Sequence, residues 1–436
     1  MSGFLGMRGT GDWATDQRPK SYREGILYLY PNGSAPLTAI MSKLKSEMVN
    51  DPEFNWWTKA LQTQRATITG TYTNATLATA YTSGGVAGDT LYVKMSAADV
   101  SHFRIGHQVL LRDASDYTVD VNAKVIGKNV NGASSYIQVK LLEADDNSAH
   151  SHDLSDADVA IIIGSINAEG ATMPTGITYD PVKLYNYTQI FRSPLSITRT
   201  ARKTKLRTGD AYKEMKRECL EYHSIEMERA FLFGVKTENT GDNGKPERTM
   251  DGILTILRAE STATVDDYSL NSTYSGKDWT DAGGGKTWLD SYLEVIFRHG
   301  SGEKLALCGS GALLGLNALA ESGAHIQLVP GAKSYGIQVT TWLTPFGTIY
   351  LKTHPLFSEE ATLRNSMLLI EPKNLIYKYI DDTNFYAEGD AKQSGPGTNA
   401  NRKDGTDEEF LTEASLELHH PSTMGFLNGV GIDSAV

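Results

Sequence analysis

The stretch NYTQIFRSPLSITRTARKTKLRTGDAYKEMKRECLEYHSIEMERAFLFG, residues 186–234, carries the reading of the whole chain. Its first part is polar, basic and β-like. It runs with no loop of any size into a helix predicted over Ala211–Phe233, about 35 Å long at 1.5 Å per residue. Asp210 at the start complements the helix dipole, and Gly234 stands where a C-cap is expected. Tyr212, Met215, Cys219 and Tyr222 form one apolar stripe and Leu220, Met227 and Phe231 a second, so the helix is expected to pack on more than one surface. An extended arm of this kind cannot bury both of its faces within its own domain. It makes sense in a subunit whose extended pieces are covered by neighbouring copies.

Working outward, Tyr185–Thr200 reads as a returning extended segment and Thr58–Thr71 as its outgoing partner, together a long two-stranded hairpin. Such a hairpin is at best marginally stable alone, so it is expected to lie on another surface, guided by opposite charge. Between Gly70 and Val182 there are 13 acidic and 6 basic residues; between Lys183 and Arg217 there are 10 basic and 2 acidic. The acidic stretch contains short β-like runs (Thr90–Met95, Gln108–Leu111, Ala123–Ile126, Ile137–Leu142, Val159–Ile163) separated by turn signals, which predicts a small barrel or sandwich over 72–170 set into a basic arm. Candidate intersubunit residues are Trp56, Trp57, Arg65, Tyr187, Phe191, Arg192, Arg199, Arg202, Lys203, Lys205 and Arg207. The cluster Phe54, Trp56 and Trp57 reads either as an interface anchor or as a packed turn.

The remainder alternates loosely between strands and helices, which indicates α+β. Pro36–Met48 reads as a short helix, Thr249–Leu257 as a turn becoming a strand, and 259–285 as an exposed loop. Helices are predicted over Thr287–Arg298 and Gly311–Glu321, and strands over Lys304–Cys308, Met367–Ile370, Leu375–Tyr379 and Phe410–Leu418. Gly336–Trp342 and Thr348–Thr353 form a hairpin about Pro345-Phe346-Gly347, and 387–408 is a second polar loop. The formal charge of −11 argues against general binding to nucleic acid or anionic membranes. The two cysteines, Cys219 and Cys308, give no disulfide framework and suit a reducing compartment. The N-terminus has no apolar run of a secretory signal, and Leu305–Ala320 falls short of a membrane span; a soluble protein made and used inside a cell is expected.

Tests for chemistry come out against a site. Asp281–Thr287 (DAGGGKT) resembles a phosphate loop, but Thr280 stands where its first glycine is required. Cys308-Gly309-Ser310-Gly311 follows a strand like a nucleophile elbow, with Cys308 in place of its first glycine. His150-Ser151-His152-Asp153 reads as an exposed acidic turn rather than a metal site, and His419-His420 would point to opposite faces of a strand. Cys219 reads as a small core residue. No catalytic, cofactor or metal residues are assigned.

The order of these parts resembles the major capsid proteins of tailed bacteriophages (Caudoviricetes), with the Hong Kong 97-like fold. The residues that carry the resemblance are Asn186–Phe191 (NYTQIF), Ile225–Gly234 (IEMERAFLFG), Met250-Asp251-Gly252-Ile253, Leu343–Thr348 (LTPFGT), and Ile370-Glu371-Pro372 with Tyr377. It covers roughly 36–436. It implies an N-terminal arm at 1–35, the peripheral-domain start and outgoing extended loop at 36–71, an inserted β-domain at 72–170, and the returning loop at 171–207. A spine helix and peripheral domain at 208–284 and an axial domain at 285–380 follow, with the peripheral return at 381–436. It further implies a non-enzymatic homo-oligomer of pentamers and hexamers forming an icosahedral head around double-stranded DNA. The implied partners are a separate scaffolding protein, a portal and a decoration protein, with no sequence-specific DNA contact, no membrane and no cofactor. The location would be the virion, after assembly in the host cytoplasm. The rival readings are a tail-tube or decoration protein, and a polysaccharide-processing enzyme, for which no carboxylate pair stands out.

Overall fold

The computed structural model describes residues 37, 45–59, 64–114, 120–145, 154–204, 210–322, 327–334, 337–388 and 405–435. The chain divides into two compact units, Met1–Trp56 with Lys183–Val436, and Trp57–Val182. It passes from one to the other through a two-stranded sheet of Glu53–Thr58 and Val182–Tyr187.

The larger unit is α+β. A mixed seven-stranded sheet runs in the order Thr264–Asp267, Gly425–Asn428, Met367–Ile370, Glu303–Cys308, Gly347–Thr353, Ile337–Thr344, Gln327–Ser334. Its central strand Glu303–Cys308 is buried from Lys304 onward. Two helices, Gly285–Phe297 and Ser310–Glu321, contribute Trp288, Leu293, Ala312 and Leu316 to the core cluster on this sheet. A second sheet of four strands runs Ser46–Met48, Leu375–Glu388, Gly405–Leu418, Gln189–Thr198. The helix Ala211–Phe233 shares a core with it through Met227, Phe231, Phe191, Tyr377 and Leu416.

The smaller unit is a closed six-stranded barrel in the order Arg65–Tyr72, Thr90–Met95, Tyr136–Leu141, Asp120–Asn129, His107–Arg112, Val159–Ser165. Strict alternation drives it. Leu91, Val93 and Met95 point inward from one strand and Ile137, Val139 and Leu141 from its neighbour, all at most 3% exposed. Closure leaves the barrel strands without free edges.

Several expectations are corrected. The outgoing and returning segments do not form one long hairpin: the outgoing segment ends as the barrel strand Arg65–Tyr72. The returning strand Gln189–Thr198 pairs residue for residue with Gly405–Leu418 of its own chain. Its own body therefore covers one face of it, where Phe191, Ser193, Leu195 and Ile197 alternate inward, and the other face stays exposed. Residues 253–259 are a helix, Ile253–Ala259, not a strand, because Ile253, Leu254 and Leu257 bury at helical spacing. The segment 259–285 is not an exposed loop. It contributes Tyr268 and Trp279, both at most 2% exposed, to an aromatic cluster with Trp288. Of the helix expected over Pro36–Met48, Leu37 is helical and buried, while Ser46–Met48 is a strand parallel to Leu375–Glu388. Most of 387–408 lies outside the described residues. The long helix buries His223, Met227, Glu228, Phe231 and Leu232, whereas Tyr222 and Leu220 of the two sequence stripes are exposed.

The strand Ser46–Met48 is held by charge as well as by its ladder. Glu47 contacts both Lys378 and Lys45, and Lys378 also pairs with Glu417 at 2.9 Å. The hydrogen bond from Lys378 first, then that from Lys45, hold the Glu47 carboxyl at about 2, below its ordinary 4.5. A depressed carboxyl stabilises the fold above the unfolded value and loses that contribution as pH falls. We therefore expect Glu47→Gln to melt below wild type at neutral pH, with the two melting curves converging between pH 4.5 and about 2. A melting difference independent of pH would remove this assignment.

Candidate intersubunit surface

The returning segment is rooted by one buried side chain. Asn186, 1% exposed, donates from Nδ2 to the Leu416 carbonyl at 2.9 Å and accepts the Asp251 amide at Oδ1, also at 2.9 Å. The Gln189 Oε1 accepts the Met250 amide at 3.3 Å. Two separate stretches that carry the family resemblance, Asn186–Phe191 and Met250–Ile253, thus meet. A third joins them at the helix end: Gly252 donates to the Gly234 carbonyl at 2.9 Å. A Cβ on Gly234 would lie 2.5 Å from the Met250 carbonyl oxygen, and one on Gly252 2.8 Å from that of Leu232. Gly234 has φ −53°, so close backbone approach, not a left-handed cap, requires glycine there.

The candidates separate by face. Phe54 and Trp56 stack at 5.9 Å on one side of their strand, and Trp57 on the other side is 64% exposed. Phe54 and Trp56 are thus packed together, in a strand rather than a turn, and Trp57 stays exposed. Tyr187 is half-buried beside Tyr185, at 5.7 Å. Phe191 is a core residue packed edge-on to Phe231 at 6.4 Å, which corrects its assignment to an interface. Arg192 grips Glu409 with two hydrogen bonds of 2.8 and 2.7 Å. Arg202 lies 4.5 Å over the Tyr212 ring. Burial first, then the hydrogen bond to Glu408, pushes the Tyr212 hydroxyl up to about 12. Opposite charge for part of the basic segment is thus supplied by the chain's own strand Gly405–Leu418. Arg199 and Lys203 are exposed on the short helix Arg199–Lys203, and Arg65 is exposed on the barrel. Lys205 and Arg207 lie outside the described residues.

Sequence reasoning missed the outward apolar residues Val182, Tyr185 and Ile190, and Met173, which is 93% exposed within 166–181, a described stretch without regular secondary structure. Ile190 could have been found, since it is the apolar residue out of phase with Phe191, Leu195 and Ile197. It also missed the polar chain beneath the strand. His223 bonds Ser193 Oγ and Thr412 Oγ1, each at 2.8 Å, and burial lowers its pKa.

The motifs tested for chemistry have packing explanations. In the 281–287 stretch, a Cβ on Gly285 would meet the Trp279 ring at 2.4 Å. In the Cys308 turn, one on Gly309 would meet the Arg364 carbonyl oxygen at 2.2 Å, and burial pushes the Cys308 thiol well up. Cys219 is half-buried with its thiol against the Ser193 carbonyl at 3.4 Å. The residues 150–153 lie outside the described residues. Among the described residues, no cluster suits a metal and no helix is long and apolar enough to cross a membrane.

The larger unit is α+β, and the smaller, a closed barrel, is inserted in it between Trp56 and Lys183. The sequence model of the SU10 major capsid protein family matches residues 7–431. The chain belongs to that family, and its function is that of a phage major capsid protein, part of the virion. It is 23% identical to the major capsid protein of Pseudomonas phage PaMx41 over 439 aligned positions, covering 99% of this chain and 97% of that one. Among solved structures it is similar to a chain of Mycobacterium phage Bobi (6% identity, TM-score 0.43, 95% and 96% of the two chains covered). It is also similar to one of Microbacterium phage Oxtober96 (9% identity, TM-score 0.43, 96% and 98% covered).

Proposed function

We propose that the chain assembles without catalysis, as pentamers and hexamers, into an icosahedral head around double-stranded DNA. In this reading it has the Hong Kong 97-like arrangement. Residues 285–380 form the axial domain, the helix Ala211–Phe233 is the spine of the peripheral domain, and the barrel is an insertion in the extended loop that braces adjacent capsomers. Residues 1–35 are the N-terminal arm. Scaffolding, portal and decoration proteins are the partners, DNA is enclosed without sequence-specific contact, and assembly takes place in the host cytoplasm.

The observation that carries this reading is the set of exposed apolar residues on the ribbon, Trp57, Val182 and Tyr185, with Met173 in the stretch 166–181. Large apolar groups set on an exposed two-stranded ribbon mark a contact surface, and a second copy is the occupant a shell protein supplies. Many weak contacts of this kind hold a shell by multivalency. The Arg192–Glu409 pair holds one candidate charge within the chain, while Arg65, Arg199 and Lys203 stay exposed as further candidate contacts.

Electron microscopy and sedimentation of the purified chain, with its scaffolding partner, test the reading: closed polyhedral shells are expected, and tubes or monomers alone would overturn it. Replacing 57–182 by a short linker between Trp56 and Lys183 should leave the larger unit folded, since each unit has its own core cluster. Shells of that variant should dissociate at lower denaturant. Shells of undiminished stability would rule out bracing by the barrel.

A further inference from the structure

Glu228 lies on the long helix with no solvent exposure, inside the core cluster formed by Met227, Phe231, Leu37 and Phe357. A fully buried carboxylate is rare unless its oxygens are matched by donors. One oxygen, Oε1, accepts two of them: the Leu37 backbone amide at 2.7 Å and the His354 Nε2–H at 2.7 Å. The donors come from 191 residues before the carboxylate and 126 after it. Leu37 is the N-terminal residue of the described structure. His354 follows the strand Gly347–Thr353 of the seven-stranded sheet and is itself fully buried.

His354 is held from every other side. Its amide donates to the Cys308 carbonyl at 2.8 Å, its carbonyl accepts from Ser358 Oγ at 2.9 Å, and its ring lies 4.7 Å from that of Phe357. Its Nδ1 has no hydrogen-bond partner. A buried acceptor without a partner is tolerated better than a buried N–H without one, so Nε2 is the nitrogen that carries the proton and points it at Glu228.

We propose that Glu228 is a junction that makes the anchoring of the chain at Leu37 depend on the donor at His354. Both bonds are charge-assisted and converge on one atom. Removing the His354 donor takes one of these two bonds from a buried carboxylate, which favours its displacement toward water. That displacement weakens the bond to Leu37, although His354 and Leu37 share no hydrogen bond. The seat of the sheet-end histidine and the seat of Leu37 are therefore coupled. This coupling is a property of the folded chain and stands independently of how copies assemble.

Residue-resolved amide hydrogen exchange tests it on the full chain. In His354→Phe, which keeps the ring against Phe357 and loses the donor, the Leu37 amide should exchange about tenfold faster or more, the loss of one charge-assisted bond. Glu228→Gln should do the same. The amides of Leu305 and Leu368, in the sheet core, serve as internal controls and should keep wild-type protection. Wild-type protection at Leu37 in His354→Phe, with the controls intact, overturns the proposal. If either variant fails to fold, Leu37→Pro removes the other donor without touching Glu228 or His354. The His354 Nε2–H resonance should then shift, and an unchanged resonance overturns the proposal equally.

Discussion

Lys304→Met is expected to destabilise the larger unit by about 3–5 kcal/mol, the cost of leaving a buried carboxylate without its cation. Lys304 has no exposed side-chain surface and Glu371 has 6%. The ammonium donates to Glu371 Oε2 at 3.2 Å and to the Thr423 carbonyl at 2.8 Å, and lies 5.3 Å over the Phe297 ring. Glu371 also accepts the Ser301 amide at 3.1 Å. Gly300, at φ +87°, leaves room for it, since a Cβ there would lie 2.3 Å from Oε2. The packing is built around the carboxylate, so it has no apolar conformation to relax into.

The pair itself is not the source of that energy. Burial lowers the Lys304 pKa against the upward pull of Glu371, so desolvation outweighs the attraction at this site. Exchanging both charges should then cost far less than removing one. Lys304→Met with Glu371→Gln keeps an acceptor for Ser301 and removes the uncompensated charge, and it should recover more than half of the single variant's loss. Chemical unfolding of the wild type, the single and the double variant measures both quantities. A single variant within about 1 kcal/mol of wild type, or a double no more stable than the single, would show that the pair is not the anchor of the central strand.

The long helix could be read to the residue because its signals are local. Asp210 accepts the Tyr212 amide at 3.0 Å, and Gly234 closes the other end. The alternating barrel strands and the apolar run Met367–Ile370 are local in the same sense. The partner of the returning segment was not readable. Alternation of Phe191, Ser193, Leu195 and Ile197 announces a strand with one buried face, but nothing in it names Gly405–Leu418, more than 200 residues away. Arg192 in this strand and the acidic Asp407, Glu408 and Glu409 of its partner were each visible, and their pairing is a fact of topology. The helix Ile253–Ala259 was hidden by β-branched Ile253, Thr255 and Ile256, whose propensity the packing of Leu254 and Leu257 overrides. Tyr268 and Trp279 were hidden by the Ser, Thr, Asp and Gly around them. Glu228 escaped because a glutamate on a helix ordinarily faces water, although its place on the face of Phe231 and Leu232, three and four residues on, was a usable signal.

Two aromatic deletions, one in the core of the larger unit and one on the ribbon, should give opposite outcomes. Phe191→Ala removes a ring packed on Phe231 in the core shared with Leu416 and Tyr377, and should cost the folded chain about 3–5 kcal/mol. Trp57→Ala removes a side chain 64% exposed in the isolated chain and should shift its unfolding by about 0.5 kcal/mol or less. In assembly the order reverses. If Trp57 is an anchor against a second copy, its loss weakens each contact by about 1–2 kcal/mol or more. Because every subunit carries the same change, the concentration at which shells appear should then rise by about tenfold or more. Light scattering against protein concentration reads the second quantity, and chemical unfolding of the unassembled chain reads the first. Trp57→Ala shells forming at the wild-type concentration would show that this face of the ribbon meets no neighbour. A Phe191→Ala chain of near-wild-type stability would show instead that the returning strand is not held by its own body, and the ribbon would again be a surface awaiting another copy.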